Sequence, residues 1–272
     1  MTNLQLRIVS GVVLAAVVLG VTWLGGLPFR LLAAAIGALV LYEWTTVSNM
    51  ARWRMVVGVA WGGSAATLVL LVLGLPAVAV LAVALGTVVG TAIVARAAGA
   101  GFEPATGTAY ALFPAVALAF LRGGDTAGLL AIVYLFGVVW ATDILAYFVG
   151  RAVGGPKLAP SISPGKTWSG AVGGAVAATI AAFAVAVAAG HPSPVLLAAL
   201  ALPLSALSQA GDLYESAFKR RHGVKDSSAL IPGHGGVMDR VDGLVAAAVA
   251  LYVALSLLAG ADSPAAGLFA SL

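Results

Sequence analysis

The charged residues of this 272-residue chain are concentrated in one stretch, from Asp212 to Asp242. The stretch holds five acids, five bases and two histidines, although the whole chain has only fourteen Lys and Arg and ten Asp and Glu. Carboxylates can bind a divalent cation, and lysines and arginines can bind phosphates. Because apolar segments flank the stretch on both sides, it predicts a polar active site at a membrane surface.

Three carboxylates of this stretch are candidate metal ligands. Asp239 and Asp242 are three residues apart, so they would share one face of a helix, and Asp212 comes from the preceding segment. Oxygen ligands of this kind favour Mg²⁺. The chain has no cysteine, which excludes disulfides and thiolate chemistry, and with only His222 and His234 nearby a zinc site is not expected.

A glycine-rich segment of the same stretch is suited to phosphate binding. Residues 232–236 form a loop by composition, and their glycines would let backbone N–H groups approach an anion ahead of a helix. With the neighbouring basic residues, this segment predicts a site for several phosphates at once.

A second basic loop, 150–168, also has residues suited to phosphate binding. It ends like a nucleotide-binding Walker A loop, but Pro160 stands where that pattern needs Gly, so the Walker interpretation fails. Ser163, Lys166 and Thr167 lie at the start of an apolar segment. We expect these three residues to bind a phosphate or a nucleotide there.

Apolar segments must position these residues. A mean hydropathy of +1.07 and 9% charged residues are typical of a polytopic helical membrane protein. We predict an all-α integral membrane protein with about nine transmembrane helices, at 8–24, 30–48, 55–74, 76–95, 106–121, 126–149, 168–190, 194–214 and 237–260. The turn at 74–76 is the shortest separator between two of these spans.

The distribution of Lys and Arg predicts the orientation. With nine spans, twelve of the fourteen, including Arg7, fall on one side, and only Arg30 and Arg122 fall on the other. The positive-inside rule then makes the N-terminus and the charged stretch cytoplasmic and places the C-terminus outside. Because the basic charge is explained by topology and by an anionic substrate, no nucleic-acid partner is expected.

We divide the chain into an N-terminal region, 1–121, with spans one to five, and a C-terminal catalytic region, 122–272. The second region contains spans six to nine and the cytoplasmic loops 150–168 and 215–237.

Three acidic residues inside the predicted spans need an explanation. Asp143 and Asp212 are expected roughly 10 to 12 Å inward from the cytoplasmic edge, so they could share one hydrated cavity. Glu43, near the end of the second span, is expected to reach the membrane interface beside its aromatic neighbours.

The charged stretch also resembles a known motif. Its pattern is Ser216-x-Phe-Lys-Arg, four residues, Lys225-Asp-x-Ser, two residues, then Ile231-Pro-x-His-Gly-Gly-Val-x-Asp-Arg-Val-Asp. This pattern closely resembles the defining motif of the phosphatidate cytidylyltransferase family, also called CDP-diacylglycerol synthases. The segment around Asp143 and the loop that contains Lys166 are similar to that family too. One difference is Ser169, which stands where the family is expected to have Glu, so a role for that carboxylate is not carried over.

The resemblance implies a reaction and its partners. CTP and phosphatidic acid would be converted to CDP-diacylglycerol and pyrophosphate, with Mg²⁺ required, by a homodimer that contacts membrane lipid. The expected location is the bacterial cytoplasmic membrane, with the active site facing the cytoplasm. Whether a monovalent cation joins the Mg²⁺ is left open.

Roles follow for individual residues. The expected metal ligands are Asp212, Asp239 and Asp242. His234 is expected to orient a phosphate or to donate a proton to the leaving group. The full catalytic set is Asp212, Lys219, Arg220, Lys225, Asp226, His234, Asp239, Arg240 and Asp242. The substrate-binding set is Asp143, Ser163, Lys166, Thr167, Ser216, Gly235 and Gly236.

Two other classes of protein stay open. The first is another CTP-dependent lipid phosphotransferase, such as a polyprenol or lipid kinase, which would need a general base for its alcohol substrate. The second is an ion-coupled membrane transporter in which Asp143 and Asp212 carry the ion. A transporter should have broken helices near the midplane and inverted repeats, whereas the polar residues here cluster at one surface.

Overall fold

The computed structural model describes residues 3–269, and in that range the chain is almost entirely helical. The long helices are, in chain order, α1 (Asn3–Leu24), α2 (Gly26–Val47), α3 (Arg54–Leu73), α4 (Ala77–Ala97), α5 (Glu103–Arg122), α6 (Thr126–Val153), α7 (Trp168–Ala188), α8 (Pro194–Arg221) and α9 (Met238–Ala259). Three short elements complete the fold. They are a 3-10 turn (Met50–Arg52), a hairpin of β1 (Lys157–Ala159) and β2 (Ser163–Thr167), and α10 (Ala266–Phe269).

The predicted all-α membrane class is confirmed. Each of the nine predicted spans coincides with a helix, and the eight helices α2 to α9 are long and apolar enough to cross a membrane. The apolar part of α1, Ile8–Leu24, is shorter. The count of nine spans and the orientation of the termini therefore stay predictions. The side chain of Arg7, which the orientation argument used, lies outside the described residues.

The short turn between α3 and α4 is formed as the sequence predicted. Gly74 ends α3 with a positive φ of 76°, a backbone conformation that favours glycine. The N–H groups of Gly74 and Leu75 donate to the carbonyls of Leu71 and Leu70, which satisfies the last turn of the helix. Pro76 then precedes the first residue of α4, so the two helices are separate.

Four predicted boundaries are wrong by four residues or more. Helix α1 begins at Asn3 instead of near 8, and α2 begins at Gly26 instead of near 30. Helix α6 continues to Val153 instead of ending near 149, and α8 continues to Arg221 instead of ending near 214. Lys219 is thus a helical residue, and the predicted loop 215–237 begins only after Arg221. The hairpin β1–β2, which is antiparallel, occupies the middle of the predicted loop 150–168. Strands of three and five residues are too short to give a clear alternating pattern in the sequence.

Helix α7 has the surface pattern of a membrane helix. Small residues at a four-residue spacing are buried on one side: Gly170, Gly174, Ala178, Ala182 and Ala186. Large apolar residues on the same helix are exposed: Val172, Val176, Ile180, Phe183 and Val187. This arrangement suits helices that approach each other closely and face lipid outward, because lipid solvates the larger apolar side chains.

The chain divides into two compact units. Unit 1 contains residues 1–124 and 222–240, and unit 2 contains residues 125–221 and 241–272. In unit 1, helix α5 is largely buried and packs against α2 and α4. In unit 2, α7 packs against α6 and α8. The charged stretch is divided between the units, because its loop belongs to unit 1 whereas α8 and most of α9 belong to unit 2.

Candidate active site

Unit 2 contains a cavity of about 690 Å³, a size typical of small-molecule sites, and both apolar and charged groups line it. It is formed by the end of α6, the hairpin, the start of α7 and one face of α8. Two acids and three bases line it, namely Asp143, Asp212, Arg151, Lys157 and Lys166. Ser163 and Thr167 line it as well. All four residues that the sequence predicted for the nucleotide side, together with Asp212, therefore meet at one cavity.

An ion pair lies at this cavity. Lys166 Nζ, on β2, donates to Asp212 Oδ2, on α8. Ser216 Oγ, one helical turn further along α8, donates to Asp212 Oδ1 at 3.3 Å. The charge of Asp143 interacts with both members of the pair. The cavity can thus receive an anion at its bases and a cation at its carboxylates.

The hairpin is joined to α7 by a chain of hydroxyl groups. Thr167 Oγ1 accepts the N–H of Gly170 at 3.1 Å, which caps the N-terminus of α7. Thr167 Oγ1 is also 3.0 Å from Ser169 Oγ, which donates to the carbonyl of Gly154 after α6. Because the Ser169 proton is used at Gly154, the Thr167 hydroxyl donates to Ser169. Ser169, at the position where the family is expected to have Glu, therefore connects two residues of the cavity wall, Thr167 and Gly154.

Close packing of α6 and α7 holds this wall in place. A Cβ atom at Gly170 would lie 2.6 Å from the carbonyl oxygen of Ala146, and one at Gly174 would lie 2.7 Å from that of Thr142. Such distances are too short for any side chain. Glycine at these two positions therefore lets the two helices approach closely beside the cavity.

A buried polar network connects three helices of unit 2. Thr142 Oγ1 of α6 donates to the carbonyl of Val138 and is 2.8 Å from Ser205 Oγ of α8. Gln209 Nε2 donates to Ser205 Oγ and to the carbonyl of Ala171, both at 3.3 Å. Gln209 also lines the cavity. Polar groups in a membrane helix are costly unless they are paired, and this network pairs them.

Asp242 on α9 is the third predicted metal-ligand or nucleotide-side carboxylate in unit 2, after Asp143 and Asp212. A Cβ atom at Gly211 would lie 2.7 Å from the carbonyl oxygen of Asp242, so α8 and α9 are in close contact next to Asp212. The Asp242 charge interacts with the charges of Asp212, Asp143 and Lys219. Its Oδ1 accepts the N–H of Gly243 at 2.8 Å. Three carboxylates and Lys219 thus share one electrostatic environment.

In unit 1, Asp239 organises the loop that carries the histidine and glycines of the motif. Its Oδ2 accepts the N–H of Gly236 at 2.7 Å, the N–H of Ser227 at 2.9 Å and the Oγ–H of Ser227 at 2.9 Å. Gly235 has a φ of 83°, in the left-handed region that favours glycine. Gly235 and Gly236 therefore shape the loop around the Asp239 carboxylate.

His234 is held by the first helix. Ser10 Oγ donates to the carbonyl of Pro232 at 3.0 Å and is 2.9 Å from His234 Nδ1. A hydroxyl group has one proton, so the second contact requires Nδ1 to be the donor. His234 Nε2 is then the ring nitrogen left for a ligand.

The remaining predicted catalytic residues are mostly exposed, with one exception. Arg220 is in the last turn of α8, Lys225 and Asp226 are in the loop, and Arg240 is in the first turn of α9; all four are exposed. Lys219 is buried, and its Nζ pairs with Glu215 Oε2 at 2.8 Å. A phosphate contact for Lys219 would compete with that ion pair.

Among the described residues, no group of three or more His, Asp and Glu side chains is arranged to hold a metal ion without other ligands. Mg²⁺ in phosphate-transferring sites is commonly held by one or two carboxylates together with substrate phosphates and waters. The predicted set of Asp212, Asp239 and Asp242 stays a prediction.

Comparison with known proteins agrees with the motif. The model of the cytidylyltransferase family matches residues 5–258, which is nearly the whole chain. The chain belongs to the cytidylyltransferase family. A relative from Brucella suis named phosphatidate cytidylyltransferase is 46% identical over 269 residues, which cover 99% of each chain. A relative of the same name from Pseudomonas aeruginosa is 36% identical over 275 residues, which cover 96% of this chain and 100% of the relative. Another, from Bacillus subtilis, is 34% identical over 275 residues, which cover 94% of this chain and 99% of the relative.

The structure of this cytidylyltransferase-family chain identifies residues that the sequence did not single out. Arg151 and Lys157 add two cations to the cavity, and Gln209 adds an amide. Gln209 had a recognisable signal, because an amide inside an apolar span is uncommon. Glu43 was expected at the membrane interface, and this expectation is wrong. Its side chain is fully buried, because it accepts hydrogen bonds from the motif loop.

Proposed function

We propose that this protein is a phosphatidate cytidylyltransferase, which transfers CMP from CTP to phosphatidic acid and releases pyrophosphate. The relatives with this name cover the whole length of the chain, which supports the assignment. The observation that carries the proposal is the unit 2 cavity, where the bases Arg151, Lys157 and Lys166 lie beside Asp143 and Asp212. A triphosphate with its counter-cation has the matching charge pattern.

The transfer reaction depends more on the positioning of its two substrates than on a general base. An oxygen of the phosphatidate phosphate attacks the α-phosphorus of CTP, the bond from that phosphorus to the bridging oxygen breaks, and pyrophosphate leaves with the electron pair. The attacking phosphate is already anionic, so no strong general base is needed. Bringing two anions together is the main difficulty, and positive side chains such as Lys166 and Lys157 would offset their repulsion.

The carboxylates of unit 2 fit a magnesium ion. Asp212 and Asp242 have interacting charges and oxygen ligands, and the chain has no cysteine that would favour a softer metal. We assign Asp212 and Asp242 as ligands, with Asp143 nearby. When bound, Mg²⁺ would neutralise charge on the triphosphate. Asp239 stays a predicted ligand, although its oxygens accept loop hydrogen bonds.

We also propose the finer features of location and assembly. The excess of Lys and Arg on one side supports a cytoplasmic active site in the cytoplasmic membrane, where CTP is present. The resemblance to the family supports a homodimer. Chemical cross-linking in membranes, compared with light scattering of the purified protein, would measure the assembly state.

The test is an assay of the purified protein in detergent with radiolabelled CTP, phosphatidic acid and Mg²⁺. We expect labelled CDP-diacylglycerol and pyrophosphate in equal amounts, and we expect Asp212→Asn to lose most of this activity. Thr46→Ala, on the exposed face of α2, is the matched control and should keep it.

Three outcomes would redirect the assignment. Phosphorylation of diacylglycerol or a polyprenol, without CDP-lipid, would favour the lipid-kinase alternative. Ion uptake into liposomes without any use of CTP would favour the transporter. If Asp212→Asn forms CDP-diacylglycerol at the wild-type rate, the cavity is not the site of the reaction.

A further inference from the structure

Glu43 is a buried carboxylate of α2 that no part of the proposed transfer reaction uses. It lies inside an apolar span, and its nearest charged neighbours in the sequence, Arg30 and Arg52, are nine or more residues away. Its side chain is fully buried. Burying a carboxylate is expensive unless hydrogen-bond donors surround it, so its partners reveal its role.

All the partners of Glu43 come from the two ends of the motif loop. Its Oε1 accepts Ser228 Oγ–H at 2.6 Å and the N–H of Val237 at 2.8 Å. Its Oε2 accepts the N–H of Met238 at 2.6 Å and is 3.1 Å from Ser227 Oγ. These donors are separated from Glu43 by more than 180 residues of chain. One side chain therefore fastens both ends of the segment between Ser227 and Met238.

The hydrogen bonds require a carboxylate specifically. Each oxygen of Glu43 faces one backbone N–H group, which can only donate. Both oxygens must therefore accept, as they do in an ionised carboxylate. The amide of a glutamine would turn its NH₂ group toward one of these N–H groups, so it cannot reproduce the arrangement although it has the same size.

Glu43 acts together with Asp239, which accepts hydrogen bonds from Ser227 and Gly236 of the same loop. Ser227 Oγ is 2.9 Å from Asp239 Oδ2 and 3.1 Å from Glu43 Oε2, so its single proton is shared between the two carboxylates over time. A Cβ atom at Gly236 would overlap the side chains of both Ser227 and Glu43. The loop is thus packed tightly between two fixed acids.

The carboxylates of Glu43 and Asp239 do not form a cation site. Four backbone N–H groups point at these carboxylates, from Ser227, Gly236, Val237 and Met238. Their positive ends would repel a metal ion. Met238 is the first residue of α9 and Val237 immediately precedes it, and the start of a helix has unpaired N–H groups that an acid can satisfy.

We propose that Glu43 is a positioning residue for the transfer reaction, because it fixes the loop that presents His234, Gly235 and Gly236. The proposal rests on the function proposed above. Glu43 does not touch substrate and acts only through the loop. A rigid loop keeps groups that contact a phosphate within the narrow range of positions that transfer requires. Substitution should therefore lower kcat, whereas the KM for CTP should change little, because no partner of Glu43 lines the unit 2 cavity.

The test compares Glu43→Gln with wild type and with Thr46→Ala, which removes only a bond to Tyr42 within the same helix. We expect Glu43→Gln to lower kcat by about tenfold to a hundredfold. The KM for CTP should stay within threefold. Hydrogen–deuterium exchange should become faster in the segment 227–238 and stay unchanged in α3 and α4. Thr46→Ala should match wild type in all three measurements.

A kcat for Glu43→Gln within twofold of wild type would overturn the proposal. So would faster exchange throughout unit 1, with an activity loss equal to the loss of folded protein, because Glu43 would then be a general stability residue. If Glu43→Gln does not fold, Ser228→Ala replaces it. This change removes one donor to Glu43 and the acceptor for the N–H of Leu230, and it leaves both backbone bonds to Glu43. We expect at least a threefold lower kcat for that variant, and an unchanged kcat would overturn the proposal.

The two proposals fail in different ways. If wild-type protein makes no CDP-diacylglycerol, the proposed function fails, whatever the variants do. If wild type is active and the Glu43 and Ser228 variants keep their kcat, only the positioning role fails.

Discussion

Lys166 and Asp212 form an ion pair that joins β2 to α8 across the cavity of unit 2. Their side chains are 28% and 22% exposed, so water and ligands can reach both. Each charge therefore has a partner before any substrate is bound. A triphosphate would compete for Lys166, and a magnesium ion would compete for Asp212. The pair thus couples the binding of the two ligands.

This coupling predicts opposite effects of Lys166→Met on the two ligands. The KM for CTP should rise about tenfold or more, because a charge-assisted hydrogen bond contributes about 1.5 to 3 kcal/mol. The Mg²⁺ concentration for half-maximal rate should fall, because Asp212 no longer has a competing cation. Initial rates on a grid of CTP and Mg²⁺ concentrations measure both. Lys166→Arg, which keeps the charge, is the control, and equal constants for Lys166→Met and wild type would contradict the prediction.

Asp242 and Asp239 should respond differently to magnesium. The charge of Asp242 interacts with that of Asp212, so Asp242→Asn should raise the Mg²⁺ requirement, and excess Mg²⁺ should restore part of the rate. Asp239 accepts three bonds that order the loop, so excess Mg²⁺ should not restore Asp239→Asn. Magnesium titrations of both variants test this. Recovery of Asp239→Asn at high Mg²⁺ would support Asp239 as a metal ligand, the role that the sequence predicts for it.

The sequence predicted helices well because apolar length is a strong signal in membranes. It failed at the polar ends of helices. Helix α8 continues through Lys219 to Arg221 because these residues form helices readily and because cations are favourable near a helix C-terminus. A hydropathy scan stops at charge and cannot register that continuation. The hairpin was missed because its strands have only three and five residues.

The candidate site was predictable where its residues are near one another in sequence or carry a recognisable motif. Asp143 and Asp212 were expected to share a cavity from their depth, and both line it. The role of Glu43 was not predictable, because its partners lie on the other side of a long stretch of chain. An acidic residue in an apolar span predicts that a hydrogen-bonding partner exists, but the sequence does not identify that partner.

The contact between Ser10 and His234 predicts which ring nitrogen of His234 matters. Nδ1 donates to Ser10 Oγ, so contact with a phosphate oxygen would need a proton on Nε2 as well. A glutamine amide reaches about as far as Nε2, and an asparagine amide about as far as Nδ1. We expect His234→Gln to keep several-fold more kcat than His234→Asn. The reverse order, measured under saturating CTP and phosphatidic acid, would mean that the bond to Ser10 is the important one.

Thr167 should affect the cavity through the helix that it caps. Its hydroxyl oxygen accepts the N–H of Gly170, and its proton goes to Ser169, so both hydrogen-bonding functions serve the junction of β2 with α7. Thr167→Val keeps the shape and removes the cap, which should cost about 1 kcal/mol of stability. The apparent Tm in detergent should fall, and the KM for CTP should rise because Lys166 is the adjacent residue.

Thr167→Ser distinguishes the contribution of the helix cap to stability from the contribution of methyl packing. Serine keeps the hydroxyl and loses only the methyl, so we expect Tm and the KM for CTP close to wild type. Thr167 is buried, and a methyl group lost from a buried site also has a cost. A Thr167→Ser variant that is less stable than Thr167→Val would show that packing dominates. If Thr167→Val lowers Tm without changing the KM for CTP, the junction supports the fold and does not position Lys166 for the nucleotide.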